Sequence, residues 1–282
     1  MTSVPSLPLH DGTSIPQLGF GVYQVPPAET AATVLMAFEV GYRHIDTAQM
    51  YENEEGVGAA IKDSGLARDD LYITTKLNNG FHLPDDARRS LEESLSRLGL
   101  DQVDLFLIHW PLPTRYDGDF VSTWETLVAL QEEGKARSIG VSNFQPSHLD
   151  EIVAKTGVVP VVNQVEVHPF FANEDVRAAN ARHGVVTEAW SPIAQGKVND
   201  DDVMGELASL VGKSPAQVAL RWHLQRGDIV FPKSMHRERM QQNFDLFDWS
   251  LADTHMAAID ELDAGSAGRL GPDPDLFDYI PR

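Results

Sequence analysis

Three short apolar runs each end in a polar side chain, and a phenol follows the first of them. Tyr42-Arg-His-Ile-Asp46 carries Asp46 at its end, with Tyr51 five residues later; Leu71-Tyr-Ile-Thr-Thr-Lys76 ends in Lys76; Val103-Asp-Leu-Phe-Leu-Ile-His109 ends in His109. A buried strand has no structural use for a terminal Asp, Lys or His, so the succession predicts one shared polar site. Phenol, ammonium, carboxylate and imidazole together can protonate a carbonyl oxygen without a metal. A phenol with a pKa of about 10 is a weak acid at neutral pH, and an adjacent ammonium is expected to lower that value. Lys76 supplies the charge, Asp46 keeps Lys76 protonated and aimed, His109 orients the carbonyl, and Tyr51 gives up its proton. Taken singly, these residues also read as a structural ion pair, a core histidine and a helix-entry aromatic. Four together, at successive strand ends, favour the site.

Positioning them requires an alternating architecture. Strands are expected at Leu18–Gly21, His44–Asp46, Leu71–Lys76, Val103–His109, Ser138–Val141, Val161–Glu166, Val185–Trp190 and Ile229–Pro232. Several are unbroken Val/Ile/Leu runs, as in parallel strands buried on both faces. Helical patterns lie between them. Ala31, Val34, Leu35 and Phe38 share a face in Ala28–Val40, and Ala87, Leu91, Leu95 and Leu98 share one after Pro84. Further helices are expected at Thr123–Glu133, Pro146–Lys155, Asn173–His183, Val203–Val211, Pro215–Arg226, Arg237–Phe244 and Asp253–Leu262. Eight strand–helix units at a pitch of about 30 residues predict an α/β protein, a (β/α)8 TIM barrel forming one domain over 1–282. A doubly wound sheet is the runner-up, but Gly19-Phe-Gly21 lacks the third glycine of a dinucleotide fingerprint. Leu7–Pro16, centred on Asp11-Gly12, reads as an N-terminal β-hairpin over the lower end of the barrel.

Composition narrows the function classes. The 282 residues include 42 Asp and Glu against 22 Lys and Arg, a net charge of −20. Such acidity disfavours nucleic acid and anionic membrane surfaces as partners. With no cysteine, disulfides, thiolate metal sites and a cysteine nucleophile are excluded. The start, Met1-Thr-Ser-Val-Pro, lacks the basic and apolar regions of a signal peptide, and no apolar stretch nears the roughly 20 residues that span a bilayer. A soluble, cytoplasmic monomer is expected.

At the strand ends the resemblance becomes specific. The chain is similar to aldo-keto reductases through Gly41-Tyr-Arg-His-Ile-Asp-Thr-Ala with Tyr51, Thr75-Lys76, Ile108-His-Trp-Pro111, Ser138-Ile-Gly-Val-Ser-Asn143, Val162-Asn-Gln164, and Pro232-Lys-Ser with Arg239 and Asn243. Within that family it resembles the bacterial 2,5-diketo-D-gluconic acid reductase type, through Trp190-Ser-Pro-Ile-Ala-Gln-Gly-Lys197 and Phe247-Asp-Trp. The family fold is the (β/α)8 barrel with an N-terminal hairpin.

No side chain transfers hydride, so a cofactor must. The resemblance implies NADPH, with NADH bound more weakly. Its carboxamide would meet Ser142, Asn143 and Gln164, and its ring would stack on Trp190. Ser191, Ile193 and Gln195 would flank it. Lys233, Ser234, Met235 and Arg239 would hold the 2′-phosphate end, with Gln242 and Asn243 near the adenine. Lys233, Arg237 and Arg239 fall within seven residues before a helix pattern, a natural anion site. His236 stands where relatives often place Thr or Arg, which weakens discrimination between the two cofactors. Tyr23, Ala48, Asn78 and Trp110 are expected to line the substrate pocket, Asn78 replacing a Trp of relatives. A short tail after Gly271 leaves little chain to close over the substrate. These features imply reduction of a small aldehyde, α-dicarbonyl or keto-sugar. Two alternatives are a metal-dependent hydrolase, disfavoured because the ten histidines include no His-x-His pair, and a non-catalytic nicotinamide-nucleotide-binding regulatory protein on the same barrel.

Overall fold

The structure, a computed structural model, describes residues 4–281. The opening residues 1–3, on which the reading of the N-terminus partly rests, and Arg282 lie outside the described residues. A two-stranded antiparallel hairpin, β1 (Ser6–Pro8) and β2 (Ser14–Pro16), pairs Leu7 with Ile15. Eight parallel strands follow: β3 (Phe20–Gly21), β4 (His44–Asp46), β5 (Tyr72–Leu77), β6 (Val103–Ile108), β7 (Ala136–Ser142), β8 (Val162–Glu166), β9 (Val186–Trp190) and β10 (Ile229–Val230). Each pairs with the next in sequence, and a parallel bridge between Leu18 and Val230 brings the two ends of the sheet together. The expected TIM barrel is present.

The helices are α1 (Pro27–Val40), α2 (Glu54–Asp63), α3 (Pro84–Leu98), α4 (Phe120–Glu132), α5 (Pro146–Thr156), α6 (Glu174–His183), α7 (Asp202–Val211), α8 (Pro215–Gln225), α9 (Arg237–Phe244) and α10 (Asp253–Asp260). Their starts follow from local chemistry. Proline opens α1, α3, α5 and α8, where its missing N–H costs nothing. Ser214 and Gln217 close a reciprocal capping box at α8. Two helices, α7 and α8, occupy the connection between β9 and β10.

Strands β5 and β6 are buried along their whole length, which accounts for their apolar runs. The hairpin plugs the barrel's amino-terminal end: Ile15 is fully buried and packs with Leu105, Leu107, Val162 and Ile229. The structure departs from the sequence reading at both ends of the sheet and on one helix face. The last strand stops at Val230 because Pro232 has no N–H for the ladder. The first is shorter, Leu18 contributing only its bridge. The buried face of α1 is rotated: Thr30, Thr33, Val34, Ala37 and Phe38 are buried, whereas Ala31 and Leu35 are half-buried. Contact with α2 explains the rotation, since Gly56 lies directly against Thr30.

Gly58 allows α2 to touch the end of α3. A Cβ there would sit 2.6 Å from the Arg97 carbonyl oxygen and 2.7 Å from that of Leu98. Alanine favours a helix by roughly 1 kcal/mol over glycine, but backbone overlap dominates. Gly58→Ala is therefore expected to destabilise the protein by about 1–3 kcal/mol, measured by thermal or denaturant unfolding.

Candidate active site

Four elements deliver the tetrad to the carboxyl end of the barrel. Asp46 ends β4, Lys76 lies one residue before the end of β5, and His109 follows β6. Tyr51 closes a 3-10 turn, Gln49–Tyr51, in which its N–H donates to the Ala48 carbonyl at 3.0 Å. Asn53 ties this turn down, donating to the carbonyls of Val22 and Val25. The Lys76 ammonium is completely buried and has three oxygen partners. They are Asp46 Oδ1 at 2.8 Å, the Thr47 carbonyl at 2.9 Å and the Tyr51 hydroxyl at 3.2 Å. The His109 ring meets Tyr51 edge-on at 5.6 Å.

The electrostatics follow from burial and that one cation. Burial alone would push the Lys76 ammonium down, but Asp46 and Tyr51 outweigh it and hold the group above its ordinary value. Burial pushes the Tyr51 phenol up, and the neighbouring Lys76 only partly offsets this. This corrects the expectation of a lowered phenol: in the free protein the hydroxyl keeps its proton firmly. His109 is held well below its ordinary value, first by burial and then by the Lys76 charge, so its ring is neutral. Its Nδ1 is buried with no partner among the described residues. An imidazole N–H buried without an acceptor is costly, which places the ring proton on Nε2.

A cleft of about 1240 Å³ opens above these groups. It is lined by Tyr23, Met50, Tyr51, His109 and Trp110, and by Lys233, Ser234, Met235, His236, Arg239, Gln242 and Asn243, which follow β10. Ser142, Asn143, Gln164, Trp190, Ser191, Ile193 and Gln195 also line it. Ala48 and Asn78 do not. Ala48 is fully buried, and the Asn78 side chain accepts from the Gly80 N–H at 2.9 Å in a local turn. Arg237 is turned away to pair with Glu39, leaving Lys233 and Arg239 on the wall. Among the described residues no three His, Asp or Glu side chains converge to hold a metal ion.

The middle of the cleft is preorganised. Asn143 adopts φ 63° and donates to the His109 carbonyl at 2.9 Å, while its Oδ1 accepts the Trp190 indole N–H at 2.9 Å. Ser191, Ala194 and Gln195 also have positive φ, a concentration of strained backbone typical of ligand sites. Gln164 engages its amide hydrogens with Asp46 Oδ2 at 2.8 Å and Glu188 Oε2 at 3.0 Å. That leaves the Gln164 carbonyl oxygen as the group able to accept a carboxamide N–H. The half-buried Trp190 indole provides a flat face beside it. This donor set, the adjacent indole and the cations Lys233 and Arg239 on the same wall fit an extended phosphate-bearing dinucleotide.

The sequence model described as the aldo/keto reductase family matches residues 16–264. The chain belongs to this family. A methylglyoxal reductase DkgA of Yersinia pestis is 49% identical over 280 residues, covering 98% of this chain and 99% of the relative. The crystal structure of an aldo/keto reductase from Brucella melitensis superposes with a TM-score of 0.90 at 46% identity, over 93% of this chain and 99% of that one. A Gox0644 mutant crystallised in complex with NADPH gives 0.94 at 42% identity, over 99% of this chain and 100% of that one. The activity is accordingly reduction of a carbonyl to the alcohol with NADPH. The non-catalytic alternative finds no support in these relatives.

The tail of this aldo/keto reductase departs from its sequence reading. Though short, it crosses the cleft mouth: Gly271, Pro272, Phe277 and Tyr279 all line it. Phe277 packs on Trp110 at 4.1 Å, Asn79 donates to the Tyr279 carbonyl at 2.9 Å, and Arg115 pairs with Asp278 at 3.0 Å. At the start of the tail, Glu166 accepts the N–H groups of Leu270 at 2.6 Å and Gly271 at 2.9 Å. Gly271 is needed there because a Cβ would overlap the Trp190 ring. Burial alone would raise the Glu166 carboxyl, but hydrogen bonds from His168, Leu270 and Gly271 hold it below its ordinary value.

Glu166→Gln should loosen this clasp by about 1.5–3 kcal/mol, the usual worth of hydrogen bonds to a charged group. The expected readout is faster amide hydrogen exchange across residues 270–279, with α3 unchanged. Because the folded carboxyl is depressed, its contribution is present above the ordinary value of 4.5 and fades as pH falls through the folded value. The difference from wild type should shrink accordingly in acid.

Proposed function

We propose that this aldo/keto reductase acts on small neutral carbonyls, α-dicarbonyls such as methylglyoxal foremost, with Tyr51 as the proton donor. The observation that carries the proposal is the Lys76 ammonium, buried and bonded at once to Asp46 and the Tyr51 hydroxyl. His109 donates Nε2–H to the substrate oxygen and fixes it beside Tyr51. Tyr51 retains its proton until negative charge builds on that oxygen, an alkoxide being a far stronger base than a phenolate. Lys76, held charged by Asp46, then stabilises the phenolate left behind. When bound, NADPH supplies the hydride to the carbonyl carbon. Gln164 and Asn143 are the residues that would hold its carboxamide, Trp190 its ring, and Lys233, Ser234 and Arg239 its 2′-phosphate. Ser191, Ile193, Gln195, Met235, Gln242 and Asn243 complete its walls. Aromatic residues surround the reacting carbonyl: Tyr23 lies 5.0 Å from Tyr51, and Phe277 covers Trp110.

The neutral-substrate reading rests on where the cations are. Among the described residues, Lys233 and Arg239 are the only Lys or Arg on the cleft wall. Both follow β10, and Arg115 is engaged by Asp278. Lys76, the cation beside Tyr51, is completely buried and already paired with Asp46, so among the described residues a substrate carboxylate would find no free Lys or Arg there, in a protein of net charge −20. The methylglyoxal reductase of Yersinia pestis, 49% identical, is named for a neutral dicarbonyl. We further propose that the chain works as a monomeric single domain in the cytoplasm. No helix among the described residues is long and apolar enough to cross a membrane.

Tyr51→Phe should lower kcat for methylglyoxal reduction by at least about 10²-fold, in the range of lost general acid catalysis. NADPH affinity, read by quenching of tryptophan fluorescence, should stay within about twofold; normal turnover in this variant removes Tyr51 from the donor role. Charge discrimination is tested by methyl phenylglyoxylate against phenylglyoxylate, each normalised to its borohydride reactivity. The ester is expected to have the larger kcat/KM by about 10–100-fold, the equivalent of one missing charge-assisted hydrogen bond. Equal values would contradict the neutral-substrate reading.

A further inference from the structure

Beneath the tetrad lies a second carboxyl that the chemistry above does not use. Glu188, at the centre of β9, is fully buried. Its Oε2 accepts from Gln164 Nε2 at 3.0 Å, and the same nitrogen donates to Asp46 Oδ2 at 2.8 Å. Asp46 in turn holds Lys76, and Lys76 holds Tyr51. One amide thus links two carboxyl groups, and one hydrogen-bonded chain runs from Glu188 to the phenol. The charges along it do not balance if both carboxyls ionise, because Lys76 is the single cation in the chain. Glu188 Oε1 is buried with no partner among the described residues. A bare carboxylate oxygen in so dry a place is strongly disfavoured.

We propose that Glu188 is a positioning residue that carries a proton in the folded enzyme, fixing the Gln164 amide between a neutral carboxyl and Asp46. The hydrogen-bonded chain then holds one anion, Asp46, against one cation, Lys76. Gln164 cannot turn over, because both its amide hydrogens are engaged, and its carbonyl oxygen stays aimed at the carboxamide site. The groups that face Glu188 agree with this protonation. Asp46 approaches from β4, Lys76 and Tyr72 from β5 and Gln164 from β8, while its register partner on β10 is the apolar Ile229. Burial pushes the Glu188 carboxyl up to about 8; Asp46 adds to the effect, and Gln164 and Lys76 oppose it. Above that value a second anion appears beside Asp46 and draws on the Lys76 charge. Tyr51 then holds its proton more tightly and becomes a weaker acid. That last consequence rests on the reductase reading, whereas the proton on Glu188 does not.

Glu188→Gln tests both parts, since it keeps shape and acceptor but cannot ionise. In wild type, the pH profile of kcat/KM for methylglyoxal reduction should inflect near about 8, and the variant should lack that inflection. A merely structural role would leave the profile unmoved. Thermal unfolding supplies a readout independent of turnover. The unfolded chain releases this proton near 4.5 and the folded chain near about 8, so the folded state binds the extra proton between them. Wild-type stability therefore falls as pH rises through that window and levels off above it. The Tm of the variant relative to wild type should climb by several degrees between about pH 5 and pH 9. Infrared difference spectra at neutral pH should show a protonated carboxyl band in wild type that the variant lacks. A constant Tm difference with no such band would overturn the proposal. An inflection retained in the variant would remove the positioning role even if the proton is present. Wild-type protein without carbonyl reduction would overturn the reductase reading instead, and the unfolding and infrared measurements would still decide the protonation.

Discussion

A fully buried ammonium is the constraint on which the mouth of this barrel is built. Lys76 cannot sit uncompensated in so dry a place, and removing one partner of such a pair typically costs about 3–5 kcal/mol. Its three oxygens come from three kinds of structure: the end of β4, the backbone that follows it, and the turn bearing Tyr51. The charge therefore fixes the register of β4 against β5 and the distance between a strand end and a loop. It also sets the chemistry. The same cation depresses the His109 imidazole and pulls against the burial that raises the Tyr51 phenol.

From that centre the organisation runs outward in both directions. Inward, Asp46 is shared with the Gln164 amide, which is itself anchored on Glu188, so the cofactor-facing side chain and the tetrad belong to one network. Outward, Asn143 links the backbone of His109 to the indole of Trp190. Trp190 supports Gly271, and Glu166 clasps the backbone there. The tail is consequently held by the same walls that would hold the dinucleotide. Among the described residues the Lys and Arg on the cleft wall are Lys233 and Arg239, both after β10, where the proposed reading puts the cofactor phosphate.

Much of this was legible in the sequence. Asp46, Lys76 and His109 broke apolar runs at their carboxyl ends, and barrel topology gathers strand ends at one mouth. Other features depended on distant chain. Ala48 is buried in extended backbone just before the 3-10 turn, and Asn78 folds onto the Gly80 N–H, so neither lines the cleft. The tail has no periodic pattern, and its course is fixed by Glu166, Arg115 and Asn79, all more than 100 residues earlier. Glu188 has its own sequence signal, a carboxyl between Thr187 and Ala189 in a buried strand. Proximity to a cation alone predicts a lowered Tyr51 phenol, whereas the larger, opposing effect of burial raises it.

The account rests on hydride reaching a carbonyl carbon in the cleft that Tyr51 serves. Mass spectrometry of the alcohol formed from methylglyoxal and NADPH carrying deuterium at the transferable position of C4 tests this most directly. Hydride transfer in this cleft predicts one deuterium, on the carbinol carbon. An alcohol free of deuterium, or no alcohol despite bound NADPH, would contradict that transfer.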